Sequence, residues 1–161
     1  MKKMKPRIQT IDEKKVVGIR LSMSLTNYQV GNLWKNFMPR RNEITDKLTD
    51  DLISMAIYKP EHFTDFKPTN EFEKWAAVEV SSFDKVPDEM EIFVLPGGLY
   101  AVFDYKGLNT DHSIFQYILG TWLPDSEYTL DNRPHFEVLG NKYKNNDPKS
   151  EEEIWIPIKR K

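Results

Sequence analysis

Hydrophobic residues recur along this chain with two periods, and each period predicts one kind of element. Alternation of apolar and polar positions predicts strands, and the stretches that show it are 7–11, 16–21, 52–58, 75–80, 91–95, 99–105, 133–140 and 153–158. Spacings of three and four residues predict two helices, at 28–37 and 113–123. Because Gly120 weakens the second helix, we expect a close contact at that glycine. Strands mixed with two helices indicate an α+β fold.

The order of the predicted elements repeats once along the chain. Strand, helix, strand, strand occurs before the proline-containing segment Val86–Met90 and again after it. This repetition predicts a single domain over 1–161, with halves at about 6–85 and 91–159. Two such halves predict antiparallel sheets with pseudo-twofold symmetry, helices on one side and a groove between the halves. The loop 59–70 carries two phenylalanines, which either cover that groove or anchor the loop.

The last two strands place a carboxylate among aromatic side chains. Alternation puts Phe136 and Val138 on one face of their strand and Glu137 on the other. In 153–158 the isoleucines form one face and Trp155 belongs to the other. If the apolar faces of both strands enter one core, Glu137 and Trp155 lie together on the opposite face. Such a pair suits a flat, apolar cation; the alternative is a solvated glutamate on the outer face of a sheet.

The same alternation brings two aromatic residues of the first half toward this groove. Tyr58 and Trp75 lie on the faces of their strands that the predicted core does not use. Since concavities form at the junction of two units, we expect these side chains to meet Glu137 there.

Composition narrows the chemistry that this chain can perform. Its 161 residues carry a formal net charge of −2 with both signs interspersed, which argues against nucleic acid as the main partner. It has no cysteine, which excludes disulfides and thiolate chemistry. No run reaches transmembrane length and the N-terminus lacks an apolar signal core, so we expect a cytoplasmic protein.

Motifs for cofactors and metals do not occur in the sequence. Pro96–Gly98 lacks the lysine of a phosphate-binding loop and predicts a hairpin turn. The three histidines show no metal-ligand spacing. We therefore expect neither a cofactor nor a metal ion.

Four segments in the second half occur together and in order: Pro96–Gly107, Trp122–Tyr128, Arg133–Val138 and Glu153–Ile158. In this series the chain resembles the gyrase-inhibitory-protein-like (GyrI-like) family, which includes the effector-binding domains of AraC- and MerR-type transcription activators. The resemblance implies the tandem strand-helix-strand-strand fold. It also implies that an acidic residue in the groove, surrounded by aromatic residues, binds lipophilic cations.

The resemblance assigns the acidic role to Glu137, with Glu153 as the substitute. The full set of expected ligand-binding residues is Glu137, Trp155, Trp75, Tyr58, Tyr100, Tyr105 and Glu153. The expected partner is a small hydrophobic or cationic ligand. About seven residues precede the first strand, too few for a DNA-binding module, so we expect a stand-alone binding protein without direct DNA contact.

Two other functions use the same surface. Some stand-alone relatives are hydrolases of electrophilic small molecules, in which the groove glutamate acts as a general base on water; here that residue is Glu137. The other alternative is a module that inhibits another protein, as the gyrase inhibitors do. We expect binding without catalysis, because the sequence places no histidine opposite Glu137.

Overall fold

The computed structural model describes residues 4–161. Its nine strands are β1 Arg7–Ile11, β2 Lys14–Met23, β3 Leu52–Ile57, β4 Phe72–Val80, β5 Glu91–Leu95, β6 Gly98–Lys106, β7 Tyr128–Leu130, β8 His135–Leu139 and β9 Glu151–Arg160. Helix α1 spans Val30–Phe37 and α2 spans Ser113–Tyr117, and a short helical turn, α3, spans Leu123–Asp125. No helix among the residues from 4 to 161 is long and apolar enough to cross a membrane.

Helix α1 forms where the sequence predicts an apolar stripe. Leu33 and Phe37 are fully buried on its inner face. The helix begins at Val30 rather than at Tyr28, because the preceding residues form a turn closed by a hydrogen bond from the backbone N–H of Asn27 to the Ser24 hydroxyl, 3.0 Å. Beyond Phe37 the chain tightens into a 3₁₀ segment, Met38–Glu43, that contains Pro39.

The second helical segment is irregular where one continuous helix is expected. Between α2 and α3 the chain widens into a π-helical turn, Ile118–Trp122, which contains Gly120. No atom lies within 4 Å of the position that a Cβ on Gly120 would take. The close contact expected at this glycine is therefore wrong, because Gly120 faces solvent.

The strands form one antiparallel sheet in the order β1-β6-β9-β8-β3-β4-β2-β5, with β7 paired to the end of β9. Each half of the chain contributes four strands to this path. The outermost strand of each half leaves its own half and pairs with the other, so β1 lies beside β6 and β5 beside β2. At the centre β3 pairs with β8, which joins the halves into one sheet.

Both faces of this sheet are buried, each by different residues. Helix α1 covers Ala76 and Val78 of β4, and the second helical segment covers Phe103 of β6 and Ile154 of β9. One row of paired residues, Ala76, Ser54, Glu137, Ile154 and Phe103, crosses five strands, so both helices lie on the same face. We call this the helix face. The opposite face has an aromatic core of its own.

Strand β7 was not expected from the sequence. Its three residues pair with the end of β9. In these three residues apolar and polar positions alternate only once, which is too short a pattern to predict a strand. Arg133, just before β8, secures this corner: its guanidinium donates to the carbonyl oxygens of Leu99 at 2.6 Å and Ile158 at 3.1 Å and lies over the ring of Tyr100.

Candidate functional site

The register at the centre of the sheet decides which side chains meet. Glu137 pairs with Ser54 on β3 and with Ile154 on β9. Paired residues point to the same face, so Glu137 lies on the helix face. Phe136 pairs with Trp155, and their rings stack at 5.2 Å with an interplanar angle of 14° on the opposite face.

The expectation that Glu137 and Trp155 share a face is therefore wrong. It assumed that Phe136 and the isoleucines of β9 enter one core. The sheet instead buries both of its faces, and Phe136 and Ile154 belong to different cores. A shift of one residue in register moves every side chain of a strand to the other face, which is why this assumption reverses the neighbours of Glu137.

The structure divides the seven expected site residues into two groups. Tyr58, Tyr105 and Glu137 are on the helix face. The other four lie on the opposite face: Trp75, Tyr100, Glu153 and Trp155.

The site residues on the opposite face form packing contacts and hydrogen bonds with their neighbours. Tyr100 is fully buried and packs edge-on against Trp155 at 5.8 Å. Glu153, the substitute carboxylate, accepts hydrogen bonds from the Trp155 indole at 3.2 Å and from Arg7 at 3.0 Å. Trp75 is nearly fully buried and donates to Glu73 at 2.6 Å. These contacts place the residues in the core and in ion-paired surface, and Glu153 and Trp155 also line a cleft of about 180 Å³. Their role in ligand binding stays a prediction.

On the helix face, small side chains form a strip of the sheet between the two helices. Ser54 and Ala56 on β3 and Ala76 on β4 belong to it, and all three are buried. Glu137 and His135 border the strip on β8, and Lys74 borders it on β4. We call this strip and its border the groove.

A second carboxyl group, that of Glu152, lies next to Glu137. Glu152 precedes Ile154 by two residues on β9 and therefore has the same face as Glu137. Burial, the charge of Glu137 and a hydrogen bond between the two carboxyl groups raise the pKa of Glu152 to about 9. Glu152 is therefore protonated at neutral pH and serves as a donor to Glu137. Among the residues that the structure describes, neither carboxyl group forms a salt bridge.

Three tyrosines surround this acidic pair. Burial first, and the charge of Glu137 second, raise the pKa of Tyr28 and of Tyr58. Burial and the charge of Glu152 raise the pKa of Tyr143, whose hydroxyl accepts a hydrogen bond from Asn109 at 3.1 Å. All three hydroxyl groups stay protonated and present neutral aromatic surface to the carboxylate.

The two loops that precede the helices meet across the groove. Tyr28, from the loop before α1, packs edge-on against His112, from the loop before α2, at 6.4 Å. Tyr28 is 45% exposed, so this contact lies at the surface. The charge of Glu137 acts on Tyr28, so this contact lies near the acidic pair.

Aromatic rings fill one end of the groove. Tyr58 contacts the rings of His62, Phe63, Phe72 and His135, all within 5.3 Å between centroids. Phe63 also stacks on His135 at 5.6 Å. Burial lowers the pKa of His135 to about 3, so its imidazole is neutral. Phe63 thus anchors loop 59–70 against Tyr58 and His135, whereas Phe66 of the same loop is exposed.

A cleft of about 490 Å³ lies mainly on the opposite face of the sheet, where its lining includes Asp104, Val138 and Glu153. It lies where β8 ends and β9 begins, and its lining also includes Tyr105, Gly140, Asn141 and Glu152. Within residues 4–161 no group of three or more His, Asp or Glu side chains is arranged to hold a metal ion.

Sequence reasoning missed Tyr28, Lys74, Tyr143 and Glu152. For Glu152 a signal was present, since it alternates in phase with the isoleucines of β9. For Tyr28 and Tyr143 none was, because both lie in loops.

Comparisons with known proteins agree with this architecture. The chain is 31% identical over 145 residues to the transcriptional regulator BrlR of Pseudomonas aeruginosa, covering 89% of this chain and 51% of BrlR. The EcmrR C-terminal domain has the same fold, with a TM-score of 0.72 at 18% identity over 98% of this chain and 99% of that one. SAV2435, solved bound to tetraphenylphosphonium, gives a TM-score of 0.68 at 17% identity, covering 97% and 94%.

By class, the chain is an effector-binding domain, as the match to a family model shows. A family model described as "Cass2: Integron-associated effector binding protein" matches residues 7–158, and the chain belongs to that family. The resemblance to the GyrI-like effector-binding domains is thereby confirmed. The chain spans about half the length of the curated relative that it matches. The expectation that it makes no direct contact with DNA stays a prediction.

Proposed function

We propose that the groove binds a small aromatic ligand carrying a positive charge, and that this binding is the effector-sensing function of the chain. The observation that carries the proposal is the position of Glu137. It is half-buried at the border of the strip between the helices, it forms no salt bridge within the described residues, and its charge acts on Tyr28 and Tyr58. A carboxylate removed from water without a counter-ion gains most from a ligand that brings the positive charge with it.

The aromatic surroundings favour a flat or aryl-substituted cation over a metal ion or a simple amine. Tyr28, Tyr58 and Tyr143 stay neutral and offer ring faces, which attract cations through their quadrupoles. Burying the rings of the ligand adds the hydrophobic contribution that a hydrated ammonium ion lacks. SAV2435, which shares the fold, was solved with a cation of this kind.

We also propose that the halves are related by a pseudo-twofold axis through the β3–β8 pair. The order of strands supports this. If β1 is exchanged with β5, β2 with β6, β4 with β9 and β3 with β8, the new order is the original order read from the other end of the sheet. Such an axis passes through the groove, which makes the groove the junction between two equivalent units.

The test is a calorimetric titration of the purified protein with tetraphenylphosphonium. We expect Glu137→Gln to weaken binding by roughly 1–3 kcal/mol, because the amide keeps the shape and removes the charge. Glu137→Gln should change little the binding of a neutral analogue, such as a tetraphenylmethane derivative with an uncharged solubilising group. Glu153→Gln is the matched control, since Glu153 lies on the opposite face and is engaged by Arg7.

Two results would contradict the proposal. Equal losses for the charged and the neutral ligand in Glu137→Gln would show that this residue supports the structure and does not bind charge. A loss in Glu153→Gln with none in Glu137→Gln would move the site to the opposite face of the sheet.

One observation favours hydrolysis as the second candidate. Two adjacent carboxyl groups in different protonation states are typical of acid–base pairs, and the raised pKa of Glu152 leaves it as an acid beside the Glu137 carboxylate. In that function Glu137 accepts a proton from water while Glu152 donates one to the leaving group. We expect no turnover of an activated ester or epoxide above the buffer rate. Repeated turnovers that disappear in Glu137→Gln while binding persists would establish the hydrolase instead.

A further inference from the structure

One buried imidazole, that of His62 in loop 59–70, has a nitrogen without a partner. The side chain of His62 is only 5% exposed. Its Nδ1 atom is the one buried side-chain nitrogen or oxygen that has no hydrogen-bond partner among the residues that the structure describes. Buried polar atoms in this state are few in native proteins, because they lose their hydration without compensation. Hydrogen bonding at Nδ1 therefore does not hold this imidazole in its position.

Aromatic packing holds His62 in place instead. The centroid of its ring lies 4.6 Å from that of Tyr58, which follows β3, and 6.0 Å from that of Phe72 on β4. Within the loop, the rings of Phe63 and Phe66 lie 4.8 Å and 5.8 Å away. The imidazole is thus surrounded by apolar rings, which accommodate a neutral side chain better than a charged one.

The rest of the loop depends on this one anchored residue. Within 59–70, all of which the structure describes, His62 is the only buried residue. Its backbone N–H donates to the carbonyl oxygen of Lys59 at 3.0 Å, so this bond stays inside the loop. One backbone bond leads out of the loop, from the N–H of Thr26 to the carbonyl oxygen of Pro68 at 3.2 Å. A segment with so few buried contacts opens more easily than the sheet on which it lies.

The groups that face His62 from the sheet offer no negative charge to a protonated imidazole. Tyr58 stays neutral, since burial is the main cause that raises its pKa. Lys74 of β4 is positive, and its charge and that of His62 both act on the imidazole of His135 on β8. The charge of Glu137, further along β8, acts on Tyr58, whereas the pKa of His62 is lowered by burial alone.

The loop itself gives no counter-ion either. Its carboxylates, Glu61 and Asp65, are exposed to solvent, and Asp65 pairs with Lys67 at 3.9 Å. Glu71, which follows the loop, is exposed as well. In the described part of the chain no salt bridge includes a histidine. A proton on His62 therefore creates a buried charge without a partner, which is costly.

We propose that loop 59–70 is a pH-dependent switch, packed on Tyr58 and His135 while His62 is neutral and detached from them once this imidazole takes up a proton. Detachment withdraws the rings of His62 and Phe63 from the aromatic end of the groove and leaves Tyr58 and His135 accessible. The inference goes beyond the proposed function, because it concerns the protein without a ligand.

The direction of the switch follows from the two environments of His62. A protonated imidazole has two N–H donors and a positive charge, all of which water satisfies when the loop is detached. A detached histidine titrates near its ordinary pKa of about 6.5, and burial lowers the pKa of the packed one. The packed loop is therefore favoured fully above pH 6.5. Between the two pKa values, the detached fraction rises about tenfold for each unit by which pH falls.

NMR spectroscopy of the protein without ligand, between pH 7.5 and pH 5, provides the test. The first measurement is the hydrogen-exchange protection of the Asp65 and Asn70 amides, which donate to carbonyl oxygens inside the loop at 2.9 Å. Exchange rates are corrected for their intrinsic dependence on pH, and the amides of β4 report on the sheet in the same sample. The second measurement is the nuclear Overhauser effect between the stacked rings of Phe63 and His135.

We expect protection of the two loop amides to fall about tenfold per pH unit below pH 6.5, with loss of the contact between the rings of Phe63 and His135 at pH 5. The amides of β4 should stay protected. His62→Phe, which keeps an aromatic ring and cannot titrate, should keep the loop packed at pH 5, and His62→Leu is the second variant in case this ring does not fit. His112→Gln removes an exposed histidine outside this cluster and should respond to pH as the unmodified protein does.

Three results would overturn the inference. The first is loop protection that stays constant from pH 7.5 to pH 5 in the unmodified protein. The second is a pH response that persists in both His62 variants and disappears in His135→Phe, which would assign the switch to the other imidazole of the cluster. The third is a loss of protection in β4 in step with the loop, which would show acid unfolding of the whole sheet. Since no ligand is present, each result leaves the proposed function untouched.

Discussion

Glu137 and Glu152 show how the backbone register assigns different properties to two identical side chains. They lie on adjacent strands of the same face, and the structure holds their carboxyl groups together. Two like charges at such a distance do not both ionise at neutral pH. One carboxyl group therefore keeps its proton and donates it in a hydrogen bond, while the other remains available to a cationic ligand.

The protonated state of Glu152 predicts a pH-dependent contribution to stability. Its pKa rises from 4.5 to about 9 on folding, so the folded state holds a proton that the unfolded state releases above pH 4.5. Stability from this group is therefore complete below pH 4.5 and declines as pH rises toward 9. Glu152→Gln, which keeps the donor without the ionisation, should be more stable than the unmodified protein by roughly 1–3 kcal/mol at pH 7.5.

Urea unfolding at pH 5, 6.5 and 8 measures this effect. The difference between Glu152→Gln and the unmodified protein should increase with pH. Glu151→Gln serves as the neighbouring control, because Glu151 is the preceding residue of β9 and its side chain alternates to the other face. A difference that stays constant with pH would show that Glu152 ionises normally in the folded protein.

At this scale the sequence predicts the local alternation but not the partner across the strand. Alternation correctly separates Glu137 from Phe136 within β8. It does not determine whether Ile154 or Trp155 pairs with Glu137, because both faces of β9 are apolar enough to be buried. The acidic pair follows from that pairing, so it becomes visible only with the structure.

At the scale of elements, patterning predicts the core strands and α1 well. Strand β4 begins at Phe72, three residues earlier than predicted, because the charged residues Glu73 and Lys74 interrupt the apolar run without ending the strand. The second helical segment departs further, since its π-helical turn has no period that a sequence pattern of 3.6 residues detects.

Gly120 in this π-helical turn offers a test of the element. A Cβ at Gly120 meets no atom within 4 Å, and the same holds for Gly31 in α1. Because alanine loses less backbone entropy on folding, we expect Gly120→Ala and Gly31→Ala each to raise the free energy of unfolding by about 0.5–1 kcal/mol.

Gly18→Ala is the opposite case, since a Cβ there would collide with the Ala76 carbonyl oxygen of β4. We expect it to lower stability clearly in the same urea titrations. If Gly120→Ala were also destabilising while Gly31→Ala stabilised the protein, the π-helical turn would require glycine for a reason other than space.

At the scale of the whole molecule, the two halves hold each other together through exchanged strands. Three pairings cross between them: β1 with β6, β2 with β5, and β3 with β8. The order of elements predicts the repeat, which stays a prediction. The exchange of strands was not predictable, because the sequence contains no signal for which edge a strand joins. The exchange makes the single domain over 1–161 a prediction that can be tested by division of the chain.

Division at the segment Val86–Met90 should give fragments that do not fold alone. The fragment 1–88 retains β2, β3 and β4 but has no partner for β1, and the fragment 89–161 lacks the partner of β5 in the same way. Each would also expose the edge of the central β3–β8 pair, where Phe136 and Met55 lie in one continuous core. Unpaired edges and divided cores leave too little buried surface to offset conformational entropy.

We therefore expect each fragment alone to show no cooperative urea transition by circular dichroism, and an equimolar mixture to regain one. The mixture should also recover tetraphenylphosphonium binding, since the groove combines Lys74 from the first fragment with Glu137 and Glu152 from the second. A mixture that refolds without binding would separate the integrity of the sheet from that of the groove. A cooperative transition in either fragment alone would instead establish the halves as independent domains, because a half that folds by itself does not need the strand of its neighbour.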